Sequence, residues 1–207
     1  TAASEPPPPI VLRWEWRTFA RRIPLPAGSL QGDPRNATPS GETYILSSRS
    51  TDNVKVRGGL LAMKRLDRVD DNGFELWNPV FSAPLPADAA DLVAVWQAWG
   101  AWPPALDRPL ALDDIVREVV TGAPWLRAVA VTKRRVPLLL SECRGEFVEL
   151  RVEGERWESV AIECEAPSRV RDALRQLGLD RYENVNSPRW LARIVTTPIP
   201  CVPPVGA

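Results

Sequence analysis

The chain has no histidine among its 207 residues. That removes Ser-His-Asp triads, Cys-His nucleophile pairs, His-ligated zinc and imidazole acid–base chemistry together. Any chemistry must therefore run on carboxylates, Lys, Arg, Tyr, Cys, hydroxyls and a metal held by oxygen. Cysteine is scarce. Cys143, Cys164 and Cys201 have no CxxC spacing and suggest no disulfide framework. Cys164 sits in an apolar strand pattern and reads as a small core residue in a reducing compartment. Net charge is lacking too, because 26 basic and 26 acidic side chains cancel. The total therefore gives no bulk attraction to nucleic acid or membrane. No apolar run approaches the roughly 18 residues of a membrane helix, and no leader-like stretch opens the sequence. The expected location is the cytoplasm. No GxxxxGK[ST] or GxGxxG string is present, and no internal repeat.

An apolar content of 44% is ordinary for one sizeable core. Residues 1–9 read as a Pro-rich tail and 198–207 as an irregular end. Between them, 10–197 reads as one domain in which strand signals dominate. Nine runs alternate or carry β-branched residues: 11–19, 42–47, 54–57, 60–66, 74–81, 126–136, 138–144, 146–153 and 157–165. Asp70 to Gly73 and Gly58-Gly59 read as turns, and Arg144-Gly145 and Glu153-Gly154 as hairpin connections. Helical spacing marks 88–99, 112–120 and 168–177, with Gly178 placed to end the third, and a fourth helix is expected over 188–195. Trp96, Trp99, Trp102 and Trp125 belong to a larger insertion at about 83–124. Its apolar surface suits core or a contact with a second copy.

The informative feature is charge at period two. In Arg13-Trp14-Glu15-Trp16-Arg17 the charges point one way and the tryptophans the other. Val54-Lys55-Val56-Arg57, Val148-Glu149-Leu150-Arg151-Val152-Glu153 and Val160-Ala161-Ile162-Glu163-Cys164-Glu165 repeat the arrangement. Each strand alone is compatible with a sheet whose charges face water. Taken together, with helices available to cover the apolar side, they point to a closed antiparallel β-barrel of about eight or nine strands. This would be an α+β fold with its polar face inward. Unpaired buried charges cost several kcal/mol each, so such a lumen must hold water, a metal or an anion. Glu163 and Glu165, about 7 Å apart along one face, could share Mg²⁺. Lys55, Arg57, Lys64, Lys133 and Arg135 could face phosphate oxygens.

The order of these pieces resembles the CYTH superfamily, the triphosphate tunnel metalloenzymes. Arg13-Trp14-Glu15-Trp16-Arg17 stands where that family opens with ExExK. Lys55 and Arg57, then Lys64, then Lys133 and Arg135 match its basic strands. Glu163 and Glu165 match its late acidic strand, and Ser187-Pro188-Arg189 its closing Ser/Lys segment. The resemblance covers roughly residues 11–195 and departs at Arg13, Arg17 and Arg189, where the family has Glu, Lys and Lys. It implies a β-tunnel that binds Mg²⁺ or Mn²⁺ through Glu15, Glu163 and Glu165, with Glu142 or Glu149 helping. It also implies a triphosphate or inorganic polyphosphate held by Arg17, Lys55, Arg57, Lys64, Lys133, Arg135 and Arg189. Glu163 and Glu165 would carry catalysis of phosphoanhydride hydrolysis. Because Arg13 replaces an acid, a binding module with weakened or lost catalysis stands as the alternative, and an assembly domain as the third. Neither a membrane nor a nucleic-acid partner is expected, and self-association through the Trp-rich segment is open.

Overall fold

The computed structural model describes residues 11–104 and 107–195. The Pro-rich tail expected over 1–9, the irregular end over 198–207 and Cys201 lie outside the described residues. Eight strands follow in sequence: β1 (Trp14–Ala20), β2 (Ser40–Ser47), β3 (Asn53–Arg57), β4 (Leu60–Val69), β5 (Glu75–Pro84), β6 (Leu126–Pro137), β7 (Arg144–Val152) and β8 (Glu155–Cys164). All pairings are antiparallel, and the sheet closes in the order β1-β5-β4-β3-β2-β6-β7-β8. Eight strands enclose a lumen just wide enough for side chains or one small ligand.

Turn chemistry sets the hairpins. Gly58 and Gly59, both at positive φ, join β3 to β4, and Glu153-Gly154 (φ 48° and 85°) joins β7 to β8. Both pairs take the left-handed backbone that a two-residue hairpin demands. The run 138–144 does not form the expected ninth strand. Leu138 donates its N–H to Gly145 O and Leu139 donates to Ser29 O. This stretch is therefore a loop tied to the segment after β1, and Arg144-Gly145 lies inside β7 instead of at a turn.

Three apolar clusters organise the rest. On the outside of β2, β3 and β4, Ile45, Val54, Val56, Leu61 and Met63 pack under the insertion. The insertion contributes Trp96, Trp99, Leu110 and Ile115. It carries α1 (Val93–Trp99) and α2 (Leu112–Asp114), which continues as a π turn over Ile115–Val120. On the outside of β1, β7 and β8, Trp16, Phe147, Val160, Ile162 and Cys164 pack under α3 (Pro167–Leu177). Its buried face is Val170, Ala173, Leu174 and Leu177, and Gly178 (φ 67°) ends it.

The third cluster lies inside. Tyr44, Leu46, Val129, Val131, Leu150 and Val152 face inward and receive Trp190 and Leu191 of α4 (Ser187–Ile194). Trp190 stacks on Phe19 at 4.0 Å and meets Trp157 edge-on at 5.3 Å. The helix thus plugs one end of the barrel. It is led in by a stitch in the sheet. β1 and β5 pair at only two positions, Trp14–Leu76 and Glu15–Glu75. Where they part, Arg17 N–H donates to Asn184 Oδ1, Val185 N–H donates to Arg17 O, and Asn184 Nδ2 donates to Gly73 O.

Cys164 is buried, as expected, but it is bonded to Cys143 in a disulfide with 4.8 Å between Cα atoms. The expectation of unlinked cysteines is therefore corrected: the loop before β7 comes back against the end of β8. Among the described residues no helix is long and apolar enough to cross a membrane.

Candidate active site in the barrel lumen

Trp16, Val160 and Ile162 face α3, so pleating turns Glu15, Arg17 and Phe19 of β1 and Ala161 and Glu163 of β8 into the lumen. Residues directly opposite share a face, which carries this assignment around the barrel. Glu15 stands opposite Glu75 on one side and Glu163 on the other. Three neighbouring strands, β5, β1 and β8, therefore form an acidic wall. Across from it, Lys55 and Arg57 (β3), Lys64 (β4) and Lys133 and Arg135 (β6) form a basic wall. Each wall holds one residue of the other sign: Glu42 of β2 among the bases and Arg17 of β1 among the acids.

Glu42 is the hub of the basic wall, with its side chain fully buried. Lys133 Nζ is 2.8 Å from it, Arg135 Nη2 2.6 Å, Lys55 Nζ 3.4 Å and Arg57 Nη1 3.6 Å. Burial pulls its carboxyl upward, but Lys133, Lys55 and Arg135 outweigh that and hold it at about 2. Lys133 also donates to the hydroxyl of Tyr44 at 2.7 Å, which in turn donates to Glu42 at 3.0 Å. Burial lowers the Lys133 ammonium to about 8, and Glu42 limits the fall. Tyr44 is buried and pushed up for that reason.

On the acidic wall Arg17 Nε donates to Glu15 at 2.9 Å, and Arg17 lies 3.4 Å from Glu146 of β7. Burial works against the guanidinium, but Glu15 and Glu146 overcome it. Burial also works against the Glu15 carboxylate, yet Arg17 and Lys64 leave it below the ordinary value. Glu163 is pushed up by burial and by Glu15. Glu75 is pushed up by burial, tempered by hydrogen bonds from Asn186 Nδ2 (2.9 Å) and Trp77 Nε1 (3.1 Å).

The residues singled out from sequence separate into three groups. Glu15, Arg17, Lys55, Lys64, Lys133, Arg135 and Glu163 meet in the lumen, with Arg57 at its rim. Glu165 does not join them: it is 68% exposed and pairs with Arg13 at 3.3 Å. Arg189, on α4, lies 4.0 Å from Glu75 and half in solvent. Neither Glu142 nor Glu149 enters the lumen. Glu142 pairs with Arg169, while Glu149 stands opposite Arg134 on the outward face. Glu42, Glu75 and Glu146 take lumen places the sequence reading passed over. Glu42-Thr43-Tyr44 and Glu75-Leu76-Trp77 carried the same period-two signal, each hidden beside a single charge.

Among the described residues no three His, Cys, Asp or Glu side chains converge as a ready-made metal cage. The expected ligand trio of Glu15, Glu163 and Glu165 is thus not assembled, since β8 ends at Cys164 and Glu165, just beyond it, stands exposed beside Arg13. Two carboxylates do fit a cation. Glu15 and Glu163 face one another, and their mutual repulsion is what a divalent ion would relieve. Mg²⁺ needs only one or two carboxylates with waters and phosphate oxygens.

No family model matches the chain, and no curated protein does. Among solved structures, it is similar to a candidate adenylate cyclase of Bacillus halodurans, at 9% identity over 86% of this chain and 97% of that one, TM-score 0.45. It is also similar to the PH1012 protein of Pyrococcus horikoshii, at 16% identity over 85% and 97%, TM-score 0.44. A candidate adenylyl cyclase of Hippeastrum, described by a dominant triphosphatase activity, matches at 10% identity over 87% and 94%, TM-score 0.44. The closed eight-stranded antiparallel barrel with helices packed against it is the tunnel-like fold that the CYTH resemblance implied.

Proposed function

We propose that the lumen binds a triphosphate or polyphosphate anion and that the protein hydrolyses it with a divalent metal. The single observation behind this reading is the segregation of charge across one lumen, acids on β5, β1 and β8 and bases on β4, β3 and β6. A simple anion carrier needs only the basic wall. A metal–phosphate complex needs both.

Lys55, Arg57, Lys64, Lys133 and Arg135 take the phosphate oxygens, Arg as a two-pronged donor and Lys as a point charge. Tyr44 holds the Lys133 ammonium in place, and Glu15 and Glu146 hold Arg17. Glu15 and Glu163 would hold the metal, and the chemistry it would supply there is neutralisation of phosphate charge and activation of water. Hydrolysis joins the water oxygen to one phosphorus and leaves the bridging oxygen on the departing phosphate. Glu42 sets affinity, because the incoming anion competes with it for the same cations.

Phosphate release from tripolyphosphate, with Mg²⁺ or Mn²⁺, tests the reading. Wild type turns over, and Glu163→Gln stays folded and is inactive; normal release by that variant overturns the assignment. The Arg13–Glu165 pair favours a second reading, a binding module without turnover. It predicts that tripolyphosphate raises Tm even in chelator, and stabilisation that appears only with Mg²⁺ speaks against it.

A further inference from the structure

Beside the plugged end of the barrel lies a cleft of about 690 Å³, bounded by the β2–β3 loop, β4 and the start of α4. It meets the lumen at Leu46 and Leu66, which lie on the inward faces of β2 and β4, and at Arg189, which lines the cleft and lies 4.0 Å from Glu75. Among the described residues Arg49, Arg65 and Arg189 line it against a single acid, Asp52. The guanidinium of Arg49 lies over Trp125, 3.5 Å from the ring centroid, and donates to Gly100 O at 3.3 Å, while Arg65 is held by Asp52 at 3.4 Å. Two of the three guanidinium groups are therefore positioned before any ligand arrives. Ser47, Ser48, Ser50 and Thr51 add hydroxyls, and no aromatic side chain lines the cleft. A wall of guanidinium groups and hydroxyls without an aromatic face suits phosphate groups, whereas a nucleobase is held by stacking.

We propose that this cleft is a second phosphate site, outside the lumen, that holds the distal part of a long inorganic polyphosphate. The proposal rests on the reading of the lumen as a phosphate site and extends it. A tripolyphosphate would occupy the lumen alone, whereas a longer chain would pass Arg189 and lie along Arg65 and Arg49. The ligand class selected is an extended chain of phosphates, with nucleoside triphosphates taken less well because their non-phosphate end meets the cleft.

Calorimetric titration of the full chain at fixed ionic strength tests this, with tripolyphosphate and a long-chain polyphosphate as probes. The variants are Arg49→Gln/Arg65→Gln and the single Arg65→Gln, which leaves the Arg49–Trp125 stack in place. The expected result is that each lost guanidinium weakens long-chain binding about tenfold and leaves tripolyphosphate binding unchanged. If wild type binds tripolyphosphate but neither variant changes long-chain binding, the cleft proposal falls and the lumen reading stands. Equal loss for both probes also overturns the cleft, because the arginines would then act on the lumen. If wild type binds neither probe, the lumen reading falls and takes the cleft with it.

Discussion

At the residue scale, the lumen works through opposed charges that are each too costly to bury alone. Lys133 shows the consequence. Its ammonium is lowered to about 8 by burial, so it is mostly charged at neutral pH and loses its proton as pH rises through that value. Tripolyphosphate affinity should therefore fall as pH rises through about 8. Lys133→Arg, which stays charged, should flatten the profile in a titration series. An unchanged profile in that variant would show that another group is responsible. Glu42 gives the opposite sign. Its carboxyl is held at about 2 against an ordinary 4.5, so its contribution is fully present above 4.5 and is lost as pH falls toward 2. Removing it takes the carboxylate away from Lys133 and Lys55 and leaves Arg135 with Glu146 at 3.7 Å, so the cations crowd one another. Glu42→Gln should cost about 3–5 kcal/mol in denaturant unfolding. Added tripolyphosphate should restore much of that loss by replacing the missing negative charge. A variant that is neither destabilised nor rescued would contradict the hub assigned to Glu42.

At the scale of elements, α4 and its leading stitch hold the barrel in one state. Asn184 and Val185 complete the seam where β1 and β5 pair at only two positions, and Trp190 fills the closed end. Trp190→Ala removes a ring stacked on Phe19 and should cost about 3–5 kcal/mol by chemical denaturation. A cost under about 1 kcal/mol would mean that the helix is not the plug described. The Cys143–Cys164 disulfide closes a loop with a sequence separation of 21 and should contribute about 3 kcal/mol by limiting the unfolded chain. Reductant should lower Tm by several degrees, and Cys143→Ser should already show that lowered value without it. Most of these elements were legible in the chain, because period-two charge and Gly-Gly or Glu-Gly turns are local signals. The run 138–144 misled because its three leucines look like a strand, while its backbone partners, Ser29 and Gly145, differ from those of a ladder. The disulfide was missed because a turn was expected at Arg144-Gly145, whereas the β7–β8 register set by the Glu153-Gly154 turn runs on through Arg144–Glu163 and brings Cys143 opposite Cys164.

At the scale of the whole molecule, barrel order turns scattered charges into two walls. The inward cations Lys55, Lys133 and Arg135 were legible from alternation, and Glu15 and Glu163 from position. That Glu75 stands beside Glu15, and Lys133 and Arg135 beside Glu42, follows from the non-local β1–β5 and β2–β6 pairings that close the barrel, which sequence spacing does not encode, whereas Lys55 and Arg57 reach Glu42 from the next strand along the chain. The same closure explains why a chain of zero net charge can present a strongly polar interior.

The most direct test of the account is calorimetric titration of tripolyphosphate into wild type and Lys133→Met, with and without Mg²⁺, at neutral pH. One saturable site per chain is expected, strengthened by Mg²⁺ and weakened at least about tenfold by the substitution. No saturable binding under either condition, or binding indifferent to Lys133, would contradict it.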